Sequence, residues 1–199
     1  MRFRNFLLQA FVHEKGFMKS YFIVLLLIAV TLVHAVQSYV SMKIIAFDEK
    51  YNNDVIHFVS SIQQHEFHVQ ITPEEQPDLR DIKGFFKNGN FLIALDQEKV
   101  IGTIGLVDIG NGNGALRKMF VHKDYRGKGV AQQLLEQLLL WAVQHNYTTV
   151  YLGTLPILYA AHRFYEKNGF VEIPEQDLPQ EFPLNSVDKK FYKYKVLCI

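Results

Sequence analysis

The 199-residue chain sets 21 Lys and Arg against 20 Asp and Glu, and 49% of its residues are hydrophobic. A chain so balanced buries a core of one-domain size, which excludes wholesale disorder and a strongly basic nucleic-acid binder. The single cysteine, Cys198, leaves no intramolecular disulfide and points to a reducing compartment.

Charge is spread unevenly. Residues 1–41 hold Arg2, Arg4, Lys15 and Lys19 against Glu14, an excess of three positive charges, so with a total of +1 the rest of the chain carries −2. No charged side chain lies between Ser20 and Met42, and residues 21–36 are almost wholly apolar. As a helix this stretch is about long enough to span a bilayer if residues 37–40 sit in the interface. Three readings stand. One is a signal peptide, with Lys15 and Lys19 as its basic flank and Val33-His34-Ala35 as its cleavage site. Another is a retained anchor through residues 21–40, which by the positive-inside rule would export the domain after it. The third is a start assigned too early, because Met42 opens a natural first strand. The chain therefore divides into a hydrophobic segment, 1–41, and a functional domain, 42–199.

From Met42 the pattern is globular. Residues 42–47 alternate as a strand, and a helix starts at Asn53 with Val55, Ile56, Val59 and Ile62 on one face. Residues 72–77, with two prolines, break the chain before a second helix, 78–87. Lys87-Asn-Gly-Asn90 is a turn leading into the buried strand 91–95. Strands 100–109 and 115–121 come next, joined by the hairpin loop Gly110-Asn-Gly-Asn-Gly114. The period then changes to helical. Leu134, Leu135, Leu138, Leu139 and Ala142 line one face of a helix over 130–145, which should pack on the sheet. A strand at 148–152, a helix at 158–167 closed by Asn168-Gly169, a strand at 170–173, a proline-rich loop and a last strand at 191–197 complete the domain. A meander and then β-loop-α-β-α-β make a mixed α/β, three-layer fold.

The chemistry concentrates between strand 116–121 and the long helix, in His122-Lys-Asp-Tyr-Arg126-Gly127-Lys128-Gly129-Val130-Ala131. Small residues at 127, 129 and 131 let the backbone approach a ligand, and the helix start offers unpaired N–H groups and a positive dipole end. That combination suits a phosphate, with Arg126 and Lys128 adding charge; an ordinary basic turn before a helix is the plain alternative. A Walker loop is excluded because Gly127-Lys128 is succeeded by Gly129, and the spacing of the glycines fails the dinucleotide fingerprint.

Arg126-Gly-Lys-Gly129-Val-Ala131 resembles the Arg/Gln-x-x-Gly-x-Gly/Ala signature of the GNAT superfamily of acyl-CoA N-acyltransferases. The surroundings are similar too: the preceding strand, the leucine-rich helix, Val150-Tyr-Leu-Gly153, and Tyr165-Glu-Lys-Asn-Gly169-Phe170 in place of the family's Tyr-Glu-x-x-Gly-Phe. The resemblance is strongest over 116–173 and extends over 42–197. It implies a three-layer α-β-α sandwich around a mixed, mostly antiparallel sheet whose central strands, 116–121 and 148–152, splay around the pantetheine of acetyl-CoA. By matching position, the backbone of Met119, Phe120 and Val121 would pair with pantetheine amides and the thioester carbonyl. The amides of Arg126, Gly127, Lys128, Gly129, Val130 and Ala131 would hold the pyrophosphate, and Tyr165 would protonate the departing thiolate. A phenol near 10 and a thiol near 8.5 are close enough in acidity for that transfer; a core aromatic beside Phe164 is the alternative role. Leu158 stands where such families often carry Asn seven residues before the tyrosine.

The acceptor amine must lose a proton before attack, yet strand 115–121 contains no carboxylate where many relatives place a glutamate. Asp108, Glu66 and His122 are candidate bases, each with a plainer role as a strand-end, helix or loop residue. His65-Glu66-x-His68 spaces its histidines three apart rather than four and lacks an evident third ligand, so no metal is expected. Arg117 and Lys118 suit an acceptor carboxylate or phosphate, or equally a solvated sheet face. Cys198 is too terminal to serve as nucleophile, and direct attack needs none. The expectation is an N-acetyltransferase moving acetyl from acetyl-CoA to a primary amine of a small molecule or peptide. Its rival is an inactive acyl-CoA-binding or interaction module, membrane-tethered through residues 21–40. An acetyl-CoA enzyme belongs in the cytoplasm, free or anchored to the inner membrane face, with no nucleic-acid partner; the oligomeric state, homodimer included, is left open.

Overall fold

The computed structural model describes residues 42–68, 72 and 75–196, together with Ile28. The readings made for residues 1–41 otherwise lie outside it. Among the described residues no helix is long and apolar enough to cross a membrane.

Strand β1 (Met42–Ala46) leads into helix α1 (Asn52–Ser61), which continues as a π turn over Ile62–Glu66. Val55, Phe58, Val59 and Ile62 form its buried face; three of these are in the stripe that the sequence predicts, while Phe58 takes the place expected of Ile56, which is only partly buried. The helix expected over 78–87 is instead two single turns, α2 (Pro77–Arg80) and α3 (Ile82–Phe85). Asp81 interrupts it: its backbone leaves the helical region, at φ −139° and ψ 77°, and its carboxylate accepts from Gly84 N–H. An acidic residue three before an amide caps a new helix more readily than it continues an old one.

Strands β2 (Asn90–Asp96) and β3 (Lys99–Asp108) form a tight antiparallel hairpin whose two turn residues, Gln97 and Glu98, both have positive φ. Without glycine, this turn is held by Glu98, whose carboxylate accepts from Lys43 Nζ and Tyr51 Oη. Phe91, Ile93 and Leu95 point toward α1–α3. On the opposite side α4 (Val130–Gln144) buries Val130, Leu134, Leu135, Leu138 and Ala142. Gly102 of β3 permits that approach, since a Cβ there would meet Leu134 Cδ1 at 2.9 Å.

Strand β4 (Asn113–Val121) pairs antiparallel with β3 through a bulge: Gly105 opposes Arg117 and Thr103 opposes Phe120, so Lys118 and Met119 together face Ile104. Lys118 takes φ +52°, and Thr103 Oγ1 donates to its carbonyl at 2.7 Å. Strand β5 (Thr149–Thr154) runs parallel to β4 but pairs only at Asn113, Gly114 and Ala115, after which the two diverge. Helix α5 (Tyr159–Lys167) ends where Gly169 turns at φ +84°, and Phe170 N–H closes the cap on Tyr165 carbonyl at 3.0 Å. Strands β6 (Val171–Ile173) and β7 (Lys190–Lys195) complete a seven-stranded mixed sheet ordered β1-β2-β3-β4-β5-β7-β6 among the described residues. Only the β4–β5 pair is parallel among the paired strands with a described register. The expected α/β sandwich with splayed central strands is the observed fold.

Candidate active site

The divergence of β4 and β5 past Ala115 opens a cleft of about 140 Å³ through the sheet. Leu116 to Phe120 of β4 form one wall, Gly153 and Thr154 of β5 the other, with Tyr165 of α5 and Asp188 of the β6–β7 loop also lining it. A strand edge without a strand partner presents unpaired amides and carbonyls to whatever enters. Met119 and Phe120 lie on that wall; Val121 does not line the cleft, and its carbonyl accepts from Arg126 Nε at 2.9 Å.

The β4 bulge brings Arg117 and Lys118 side by side. Both are already paired: Asp78 of α2, 2% exposed at its side chain, accepts from Arg117 Nε at 2.8 Å and lies 3.2 Å from Lys118 Nζ. Lys118 also donates to Gln76, which exchanges amide hydrogen bonds of 3.0 and 3.1 Å with Gln63 of the π turn. Arg117 Nη1 donates to Pro183 carbonyl at 3.1 Å. Burial pulls the Lys118 ammonium below its ordinary value, and Asp78 opposes that pull. The pair is thus neither a solvated sheet face nor two free cations, but two cations sharing one buried carboxylate. Asp78 and Gln76 carried no motif; their role depends on a strand some forty residues away.

Tyr165 is buried, at 6% exposure, among Phe164, Phe170 and Tyr192. Its ring is therefore a core aromatic, yet its hydroxyl makes no hydrogen bond among the described residues while the residue lines the cleft. Burial pushes the phenol well above its ordinary value, with the charge of Asp188 adding to the effect.

The glycine loop lies after β4. Lys123–Tyr125 form one 3-10 turn, Gly127 and Gly129 come next at φ +73° and +83°, and Gly129 is the N-cap of α4 with no side chain capping the helix. The first amides of α4, from Val130 and Ala131 onward, therefore lack intrahelical partners. A Cβ at Gly127 would meet nothing within 4 Å, and one at Gly129 only Gln133 Nε2 at 3.8 Å, so the space beside both is open. Arg126 is not free to follow a ligand: besides Val121, it binds the Glu66 carboxylate. Lys128 rests over the Tyr125 ring at 5.5 Å.

The three candidate bases do not line the cleft. Asp108 Oδ1 accepts from Gly110 N–H at the far hairpin, Glu66 is bound by Arg126, and His122 Nδ1 faces Asp124 at 3.7 Å. His65 turns back to the Ser61 carbonyl at 3.0 Å.

The profile of the acetyltransferase (GNAT) family matches residues 56–170. An acetyltransferase of the GNAT family from Staphylococcus aureus Mu50 superposes with a TM-score of 0.76 at 37% identity, over 78% of this chain and 99% of that one. The PaiA N-acetyltransferase of Thermoplasma acidophilum, solved with coenzyme A, shares the fold at a TM-score of 0.63 and 17% identity, over 78% of this chain and 99% of that one. The N-acetylaspartate synthetase of Danio rerio is 33% identical over 104 residues, 50% of this chain but 37% of that protein, so the chain spans only about a third of its length.

Proposed function

The chain belongs to the acetyltransferase (GNAT) family, and on that premise we propose that it transfers the acetyl group of acetyl-CoA to a primary amine by direct attack. The observation that carries this reading is the cleft itself, which among the described residues has a strand edge unpaired with β5 beyond Ala115, a helix N-terminus after it that no side chain caps, and a lining tyrosine whose hydroxyl makes no hydrogen bond. The first amides of α4, with the backbone of 126–131, are suited to the pyrophosphate. The backbone of Met119 and Phe120 is suited to the pantetheine amides and to polarising the thioester carbonyl, which is worth most in a dry cleft; Val121, off the cleft with its carbonyl bound by Arg126, is left out of that role.

In the mechanism the acceptor nitrogen attacks the carbonyl carbon, and the C–S bond breaks with its electron pair on sulfur. Tyr165 gives its proton to that thiolate. Burial raises the phenol, but a thiolate expelled into the same cleft is desolvated and raised too, so the acidities stay near enough for transfer. The donor is a cytoplasmic metabolite, and the domain is assigned to that compartment. For the acceptor, relatives named for N-acetylaspartate make aspartate the first compound to try. Streptothricin acetyltransferase A of Bacillus subtilis, 32% identical over 106 residues, adds a basic amine to the panel.

The test is free-thiol release from acetyl-CoA by the full chain with aspartate, glycine, lysine, a diamine and an aminoglycoside, alongside calorimetric titration with acetyl-CoA. Binding with thiol release on one amine supports the reading. Binding without release on any amine supports the inactive acyl-CoA-binding module, and absence of binding removes both.

A further inference from the structure

A base is wanted in the cleft, and the carboxylates that the sequence offered are engaged elsewhere. One carboxylate is not. Asp188 lies two residues before β7, near the end of the long loop, and is fixed by its backbone: its N–H donates to Asn185 carbonyl at 3.0 Å, and the next amide, of Lys189, donates to Thr154 carbonyl at 3.1 Å. This lashes the loop to the tip of β5. The carboxylate lies against Gly153, where a Cβ would stand 2.8 Å from Oδ2 and 3.1 Å from Cγ. Glycine at 153 thus clears the space that Asp188 occupies.

Asp188 is half-buried on the cleft wall, and among the described residues nothing hydrogen-bonds its carboxylate or forms an ion pair with it. Asp78, by contrast, takes both cations of the β4 bulge. The groups that act on Asp188 electrostatically are Arg117 and Lys118 from β4, Lys189 beside it in the chain, and Tyr165 from α5. The cations' charge is shared with Asp78, leaving the Asp188 carboxylate to whatever fills the cleft. A partnerless, partly desolvated carboxylate there costs stability unless a cation arrives to meet it.

Resting on the acetyltransferase reading, we propose that Asp188 receives the acceptor's ammonium and takes its proton as the nitrogen attacks the thioester. The ammonium gives one proton to the Asp188 carboxylate, and the freed lone pair forms the N–C bond. As the intermediate collapses, C–S breaks, Tyr165 protonates sulfur, and the second proton shed by nitrogen restores the phenol. The products are the amide, the free thiol and one proton that Asp188 returns to water; nothing is oxidised. The acid and the base then come from different elements, α5 and the β6–β7 loop, on one cleft. Burial holds the Asp188 carboxyl above its ordinary value, which brings it nearer to the pH at which a base works best.

The test compares the full chain with Asp188→Asn and Asp188→Glu, using the panel amine that gives most thiol release. Asp188→Asn should bind acetyl-CoA with parental affinity by calorimetry, which establishes that the cleft is intact, while kcat/KM for the amine falls about a hundredfold or more. The parent's kcat/KM should decline on the acid side as Asp188 takes a proton; that limb should vanish in Asn and return, with part of the rate, in Glu. Parental kcat/KM with an unchanged acid limb in the Asn variant overturns the assignment and leaves the acetyltransferase reading standing. No thiol release by the parent with any amine overturns both.

Discussion

Tyr165 separates packing from chemistry within one side chain. Its ring is held by Phe164, Phe170 and Tyr192, while its hydroxyl has no partner among the described residues. Tyr165→Phe keeps the first and deletes the second, so turnover should fall about a hundredfold with acetyl-CoA affinity unchanged by calorimetry. Since no hydrogen bond is lost, Tm should hold or rise. Parental turnover with chemistry shown to be limiting would return Tyr165 to the core. Asp188 predicts the same trade of stability against function, but one that depends on pH. Burial raises its carboxyl against the pull of Arg117, Lys118 and Lys189. The native chain therefore holds that proton more tightly than the unfolded one. Stability declines as pH climbs from the ordinary aspartate range through the folded value, and stays reduced above it. Asp188→Asn should accordingly raise Tm at neutral pH and leave it unchanged in strong acid; a lower Tm at pH 7 would contradict the desolvated state of the carboxylate.

Among the elements, the turn from β4 into α4 joins two demands at Gly129. Open space beside it means that a valine there collides with little; the cost is backbone, because φ +83° is a region that β-branched residues avoid, at about 1–2 kcal/mol. The α4 core, buried from Val130 to Ala142, can absorb that. Gly129→Val should thus retain helical circular dichroism while acetyl-CoA affinity drops at least about tenfold, and an unchanged calorimetric affinity would take the phosphate role away from this turn. The same element explains what the sequence disclosed. The glycine spacing, the leucine period of α4 and the continuous apolar run of β2 are local patterns, and each was legible. The break at Asp81 was not, since its capping of Gly84 competes with a helical period that is otherwise intact. The bulge at Lys118 was also hidden, because a bulge is a mismatch in count between two strands and resides in neither one. Asp188 was least legible of all: it belongs to an aperiodic loop, and Gly153, which makes room for it, lies 35 residues earlier.

For the whole molecule, the hydrophobic clusters described draw on residues from Ile45 to Phe191. Residues 43–199 also make a compact unit of their own, so a chain beginning at Met42 should fold, remain monodisperse and bind acetyl-CoA as the full chain does. Aggregation of that shorter chain, with binding preserved by the full chain in detergent, would make residues 1–41 part of the working protein. The brevity of the β4–β5 pairing has a mechanical consequence. Among the described residues, three residue pairs are the only strand pairing between the four strands β1–β4 and the three strands β5, β7 and β6, so the sheet is two panels joined by a short seam. A ligand lying along the unpaired edge works as a removable strand, bridging the panels and stiffening them together. Without it, the amides of 116–120 that face the cleft should exchange with deuterium far sooner than those of β2. With acetyl-CoA at about a hundred times its Kd, binding adds about 2.7 kcal/mol to global stability. The slowing should then begin at 116–120 and reach across the seam into β5, in step with occupancy.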